Sequence, residues 1–97
     1  MRVLKYELKI TDRQYIHIEN NSIVPLSVAE QNGKLMMWAM AEKNELHEKR
    51  NVTVRVDILC TGQEVKEPGL CIDNFIGTVA MGNGLEWHVF ARAFDEN

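Results

Sequence analysis

The chain has 97 residues, 45% of them hydrophobic, with a formal net charge of −3 and a sequence pI of about 5.6. This length and apolar content predict a single globular domain, residues 1–97, that buries a core without metal or disulfide staples. The acidic balance disfavours nucleic-acid binding, and no apolar run approaches the roughly 20 residues that span a bilayer. Charges also occupy the N-terminal positions where a signal peptide needs its apolar segment, so we expect a cytoplasmic protein.

Period-two alternation of apolar residues predicts two strands at the start of the chain. Residues 4–10 and residues 14–19 each alternate apolar with polar side chains. The cluster of Asn20, Asn21 and Ser22 then ends the second strand, since these residue types favour turns. The side chains predicted to face inward are Leu4, Tyr6, Leu8, Ile10, Ile16 and Ile18.

An Asn-Gly pair at Asn32 and Gly33 lies between two apolar runs and predicts a β-hairpin. Both residues tolerate the positive φ that the central positions of a type I′ turn require, and that turn matches the twist of paired strands. The strand before the turn is expected to place Val24, Leu26 and Val28 on one face.

The strand after this turn, residues 34–41, carries apolar side chains on both faces. Two interpretations remain open: the strand lies between two layers of its own chain, or it lies at a subunit interface. Two-sided burial in so small a protein favours a homo-oligomer. The charged segment 42–51 lacks a helical stripe, which predicts a solvated loop with room for one helical turn.

The second half of the chain predicts three further strands. Residues 52–58 alternate most cleanly, and residues 61–73 form the longest irregular stretch. A second hairpin pairs residues 75–81 with residues 85–91 across a Gly-Asn-Gly turn, and residues 93–97 are expected to fray. About six to seven short strands at this spacing predict a mostly β protein, a small antiparallel β-sandwich or barrel built from hairpins.

The residues able to carry catalysis or bind metal do not form a recognised motif. His17, His47 and His88 are scattered over the chain, and no cysteine lies near them at metal-ligand spacing, so neither a metal nor a cofactor is predicted. Asp57 and Glu86 fall on polar strand faces, where carboxylates are usually solvated. The sequence therefore favours a non-enzymatic protein.

The two cysteines carry no nucleophile signature, and no serine lies in a Gly-x-Ser-x-Gly elbow. Without an export signal, Cys60 and Cys71 are expected to stay reduced as small hydrophobic residues, although the spacing leaves a disulfide between them open.

Aromatic and cationic residues are the remaining candidates for a binding site. Rings stack on a flat ligand and guanidinium groups pair with an anion, while a Thr-Gly turn presents backbone N–H groups. The alternative is that the tryptophans belong to the core, as they usually do in small domains. Arg50 is a further cation of this set. The candidate ligand-binding residues are Trp38, Arg55, Thr61, Gly62, Trp87, His88 and Arg92.

Five segments of the chain, KYEL, QNGKLMMWA, TG, IGTV and GLEWHVF, together resemble a family of short uncharacterised proteins found in phage genomes and bacterial prophages. The resemblance covers nearly the whole chain. The family pattern reads Gly-Thr-Gly-His in the middle loop, where this chain has Cys60, Thr61, Gly62 and Gln63, so the histidine that would be a ligand or catalyst is missing. The resemblance implies no activity, but it does imply a small accessory protein that acts during infection.

Three functional hypotheses follow. The first is a phage counter-defence protein that sequesters a nucleotide-type signal or blocks a host defence protein; it predicts a pocket lined by Trp and Arg at a subunit boundary. The second is a structural or partner-docking module with no small-molecule ligand, which predicts a flat apolar patch. The third, a small hydrolase or transferase, requires convergent polar residues in a cleft, and the sequence shows no sign of them.

Overall fold

A computed structural model describes residues 1–19, 21–43 and 51–95, and in these residues it contains seven strands and a single 3₁₀ turn at Ile72–Asn74. The mostly β, antiparallel fold predicted from the sequence is confirmed, in the form of a sandwich of two sheets. The strands are β1 (Arg2–Leu8), β2 (Arg13–Glu19), β3 (Asn21–Gln31), β4 (Lys34–Lys43), β5 (Asn51–Cys60), β6 (Phe75–Ala80) and β7 (Glu86–Asp95).

The strands are divided between a three-stranded sheet in the order β1-β4-β3 and a four-stranded sheet in the order β2-β5-β7-β6. Every neighbouring pair is antiparallel. Consecutive strands β1 and β2 lie in different sheets, whereas β3 with β4 and β6 with β7 form the two predicted hairpins. Each sheet therefore turns one face to the other sheet and one face away from it.

The core lies between the two sheets and follows the predicted alternation. On β4 and β5, every second side chain points inward and is almost fully buried, because each strand occupies a central position in its sheet. The residues of these two strands that form the core are Leu35, Met37, Ala39, Ala41, Val52, Val54, Val56 and Ile58. On β4 the opposite row, Met36, Trp38 and Met40, is only half-buried. The interpretation that this strand is covered on both faces by its own chain is therefore wrong for the described residues.

The first hairpin has the predicted turn. Asn32 has a φ of 54° and Gly33 a φ of 80°, and the flanking residues Gln31 and Lys34 pair directly. This is the conformation that Asn-Gly favours in a two-residue turn. The turn therefore sets the register of β3 against β4.

The predicted face of β3 is wrong because the strand contains a bulge. Its register against β4 shifts between Pro25 and Ser27, so the intervening Leu26 has no opposite residue. One extra residue reverses the parity of everything that follows. Val28 consequently points inward and packs on the core, whereas Val24 is 59% exposed and Leu26 is 44% exposed on the outside.

Four boundaries also differ from the prediction. Asn21 and Ser22, expected in a turn that ends the second strand, are the first residues of β3. Ile10 lies beyond the end of β1 and is exposed, and β7 continues through residues 93–95, which were expected to fray. The 3₁₀ turn lies directly before β6, while the segment predicted to hold a helical turn contributes its ends to β4 and β5. Residues 20, 44–50 and 96–97 lie outside the described part of the chain.

The two sides of the sandwich differ in how closely the sheets approach. On one side β3 lies against β6, where Gly77 has a φ of +157° and an added Cβ would come within 3.0 Å of Val28 Cγ2. A side chain at Gly77 would thus require the Val28 side chain to shift, whereas glycine lets β3 and β6 approach closely. On the other side, the edge strands β1 and β2 make no comparably close approach in the described residues.

Candidate functional site

The seven candidate ligand-binding residues lie in three separate places instead of one concave site. Trp38 lies on the outer face of the three-stranded sheet, in the row opposite to the buried Met37 and Ala39. Trp87 lies on the inner face of β7 and packs against the core. The outer face of the four-stranded sheet and the turn at its end hold the others, Arg55, Thr61, Gly62, His88 and Arg92. Arg50 lies outside the described residues.

His88 is held between two threonines. Its Nε2 lies 2.7 Å from Thr61 Oγ1, and its Nδ1 lies 2.8 Å from Thr78 Oγ1. A neutral imidazole donates from one ring nitrogen and accepts at the other, so each hydroxyl completes one of these roles. The arrangement joins β6, β7 and the turn after β5. Because both nitrogens are already bonded, a ligand would have to displace a threonine hydroxyl to reach either one.

A buried charge cluster lies on the outer face of the four-stranded sheet. Asp57 is only 2% exposed; its Oδ1 lies 2.5 Å from Arg13 Nε and its Oδ2 lies 3.3 Å from Arg55 Nε. The expectation that Asp57 is solvated is therefore wrong. The hydrogen bond to Asp57 is the main cause that raises the pKa of Arg13, while burial acts in the opposite direction. A carboxylate between two guanidinium groups is the kind of pairing that allows a buried charge to persist.

The long irregular segment covers this cluster. Arg13 Nη2 donates to the carbonyl oxygen of Pro68 at 2.7 Å, and Arg55 Nη2 donates to that of Gly69 at 2.6 Å. Arg13 Nη1 also lies 3.6 Å from the Glu67 carboxylate. Both arginines thus connect the sheet to residues 67–69, which we call the strap. The strap explains why Asp57 is shielded from solvent although it lies on an outward face.

Two of the predicted cations, Arg55 and Arg92, lie close together, because both contact the aromatic ring of Phe94. Their guanidinium carbons lie 5.4 Å and 4.5 Å from the centre of the Phe94 ring. Guanidinium groups stack favourably on aromatic faces. Arg55 is also committed to Asp57 and the strap, so Arg92 is the more exposed cation of the two.

The cleft that contains Trp87 has a volume of about 270 Å³. Ile10, Ile58 and Cys60 contribute apolar walls, and Asp12 is its charged lining residue. Gln63 closes one side: its Oε1 accepts from the Cys60 backbone N–H at 3.0 Å and its Nε2 lies 3.3 Å from Asp12 Oδ1. Gln63 is therefore engaged in holding the turn after β5. No arginine lines this cleft.

A second cleft of about 260 Å³ lies near the end of β7. Its lining residues are Ser22, Ile23, Val52, Ala93, Phe94 and Asp95. It contains neither of the two tryptophans, so neither cleft combines a tryptophan with an arginine.

The outer face of the three-stranded sheet carries apolar side chains that the site prediction, which named only Trp38 among them, did not include. The strand register arranges this face in three rows, each with a β4 residue between a β1 residue and a β3 residue. The rows are Val3–Met40–Val24, Lys5–Trp38–Ser27 and Glu7–Met36–Ala29. Val3 is 52% exposed and, in the described residues, no element packs over this side. We call Val3, Val24, Leu26, Met36, Trp38 and Met40 the apolar face.

Charged and polar side chains border the apolar face. Lys5 Nζ donates to Gln31 Oε1 at 2.9 Å, and Lys34 Nζ lies 3.3 Å from Glu7 Oε1. The sequence signal for this face was the two-sided apolar pattern of β4. The sequence pattern did not indicate that Val3 and Val24 belong to this face. Their positions beside Met40 depend on strand pairing and on the bulge in β3.

Other site types are not found in the described ranges. No group of three or more His, Cys, Asp or Glu side chains in residues 1–19, 21–43 and 51–95 is placed to hold a metal ion. Cys60 and Cys71 are both free and half-buried. Across the described residues, no helix has the length and apolar character needed to cross a membrane.

The fold and its surfaces define a small antiparallel β-sandwich with one apolar face that no element of the described residues covers. The family model of a domain of unknown function, DUF7352, matches residues 1–97, and the chain therefore belongs to that family. No curated protein and no solved structure matches the chain.

Proposed function

We propose that this protein is a non-enzymatic binding protein that docks a protein partner through the apolar face. The observation that carries the proposal is the continuous set of exposed and half-exposed apolar side chains across all three strands, with Trp38 on the central strand. An exposed apolar patch of this kind on a small domain is typical of an interaction surface.

The composition of the apolar face supports protein docking. Trp and Met are enriched at the centres of protein interfaces, and charged residues are enriched at their rims. Trp38, Met36 and Met40 occupy the central strand, whereas Lys5 and Glu7 lie on the edge strand. The adaptable thioether side chains of the methionines suit a surface that must fit the shape of a partner. Trp38 is accordingly the expected hot spot.

The hypothesis of a sequestered nucleotide-type signal receives less support from the geometry. The Trp87 cleft has Asp12 as its charged lining residue, which repels an anion, and its volume lies below the roughly 300 Å³ at which ligand pockets begin. Arg55 and Arg92 lie on the opposite side of the sheet from Trp87. The partner-docking hypothesis is therefore favoured over the nucleotide hypothesis.

The sequence resemblance to phage and prophage proteins suggests a setting for this docking. In that setting the protein is an accessory protein of infection and its partner is a host protein. If the partner is a host defence protein, this protein acts in counter-defence. The apolar face supports docking of a protein surface.

The test is native mass spectrometry of tagged protein isolated from bacterial cells that produce it. Trp38→Glu introduces a charge on the apolar face, and Tyr15→Glu introduces the same charge at a 57% exposed aromatic residue on the other sheet. We expect the wild type and Tyr15→Glu to carry an added protein mass that is not a multiple of their own mass. We expect Trp38→Glu to lose this added mass, although it unfolds at the same urea concentration as the wild type. Wild-type protein with no added protein mass, or a mass that survives Trp38→Glu, would overturn the proposal.

A further inference from the structure

The outer edge of β1 bonds to no other strand in the described residues. In the sheet order β1-β4-β3, β1 is an end strand, and all seven of its residues pair with β4 on the opposite side. An end strand presents a row of unpaired N–H and C=O groups, which is a template for another strand. We propose that β1 of a second copy of this chain pairs with this edge, antiparallel and about a twofold axis at Tyr6, to form one continuous six-stranded sheet.

Two of the other three edges, those of β3 and β6, are protected in ways that β1 is not. The edge strand β3 contains Pro25 and a bulge beside it, and β6 has a bulge between Phe75 and Gly77. Bulges and proline are devices by which natural sheets block edge pairing. The register of β1 against β4 is regular from Arg2 to Leu8, with neither device.

The side chains of β1 select the register of this pairing. A twofold axis perpendicular to the sheet keeps the inner faces of both copies on the same side, so a residue must face a residue of the same parity. With the axis at Tyr6, Lys5 faces Glu7 of the second copy and Leu4 faces its Leu8. Opposite charges then meet twice on the outer side, and apolar residues meet on the inner side.

The neighbouring registers lack this complementarity. An axis at Lys5 places two lysines opposite each other, and an axis at Glu7 does the same with two glutamates. An axis at Leu4 leaves Lys5 opposite Val3. Directly opposed like charges destabilise strand pairs. The register centred on Tyr6 is thus the one that the charges of β1 favour.

The β2 edge is the competing site for a second copy. There, an axis at Ile16 places Arg13 opposite Glu19. Arg13, however, is committed to the buried Asp57 and to the strap. Lys5 and Glu7 make only exposed contacts, with Gln31 and Lys34, which cost little to exchange for a facing charge. Pairing through β1 also joins the apolar faces of both copies into one surface, which β2 pairing does not.

This inference goes beyond the proposed function, and it is tested with purified protein alone. Sedimentation velocity measures the dissociation constant of wild type, Lys5→Glu, Glu7→Lys and an equimolar mixture of the two variants. Either variant alone opposes like charges twice, so its dimer is expected to be about tenfold weaker or more. In the mixture each glutamate faces a lysine, and the affinity is expected to return towards that of the wild type.

Two controls identify the edge. Glu19→Lys reverses a charge on β2 and is expected to leave the dimer intact, and Lys34→Glu removes the partner of Glu7 within one chain without changing any facing pair. A monomeric wild type, single variants that dimerise normally, a mixture without recovery, or a dimer lost in Glu19→Lys would each overturn the proposal. Trp38 lies on β4 and outside these pairs, so the docking test and the dimer test can fail independently.

Discussion

Arg13 Nε lies 2.5 Å from Asp57 Oδ1, and this pair joins the first strand of the four-stranded sheet to its second strand beneath the strap. The two residues are directly opposite each other in the strand register, although they are 44 positions apart in sequence. Arg55 approaches the other oxygen of the same carboxylate. One buried anion therefore holds two cations, and those cations in turn hold the strap.

Replacing the central carboxylate should destabilise the fold strongly. Asp57→Asn keeps the shape of the side chain but leaves two mostly buried guanidinium groups without their anion, and removing one partner of a buried pair typically costs about 3 kcal/mol or more. Urea unfolding measures the change. The matched control is Glu7→Gln, which breaks the exposed pair with Lys34 and should cost less than about 1 kcal/mol. Both variants are unfolded at low protein concentration, where a second copy does not contribute. Equal losses in the two variants would contradict the importance of the cluster.

The strap should be sensitive to a methyl group at Gly69. Gly69 has a φ of +81°, and an added Cβ would lie 3.1 Å from Arg55 Nη1. Gly84 has a nearly identical φ of +83° but has no atom within 4 Å of an added Cβ. Both alanine substitutions carry a backbone penalty of about 1–2 kcal/mol, and Gly69→Ala adds the displacement of Arg55.

Urea unfolding of the two variants separates these effects. We expect Gly69→Ala to lower the free energy of unfolding more than Gly84→Ala does, and to increase amide hydrogen exchange in residues 67–70. If the two variants lose equal stability and exchange at equal rates, the strap is not held by its contact with Arg55.

The strands were predictable because their signals are local. Alternation of side chains placed Ile18 and Val54 in the core correctly, and the Asn-Gly pair gave the first turn. The face of Val24 was predicted wrongly because a bulge two residues later reverses the parity. Pro25 beside the bulge signals an edge strand or a bulge but does not fix where the extra residue falls. Local periodicity finds strands well, but it does not reveal an extra residue that arises where β3 pairs with β4.

The site was harder to predict because its contacts are long-range. Asp57 looks like a solvated residue on a polar strand face, and its burial depends on a loop that closes over it. Trp38 and Trp87 were grouped by residue type, yet the parity of Trp87 with Val89 already indicated an inward side chain. The apolar face could be predicted only if the strands beside β4 were known. The strand order depends on long-range pairing, which the local sequence pattern does not reveal.

Tyr6 should show a raised pKa in the folded protein. Its phenol is half-buried on the inner face of β1, and burial raises its pKa above the usual value of 10.0, while the nearby Arg2 lowers it. A folded pKa above the unfolded one means that the folded state resists deprotonation. The stability contributed by neutral Tyr6 is therefore fully present below pH 10 and is lost as the pH rises from there through the folded pKa.

Two variants isolate the contribution of Tyr6 from that of the lysines, which titrate in the same range. Tyr6→Phe cannot ionise, so its free energy of unfolding should fall less steeply above pH 10 than that of the wild type. Arg2→Ala removes the cation that favours the phenolate, so the ultraviolet absorbance of the phenolate should appear at a higher pH than in the wild type. The unfolding curves and the absorbance titrations are measured at low protein concentration. There the proposed dimer dissociates, so Tyr6 of a second copy does not contribute. Parallel stability curves for wild type and Tyr6→Phe would show that burial does not control this phenol.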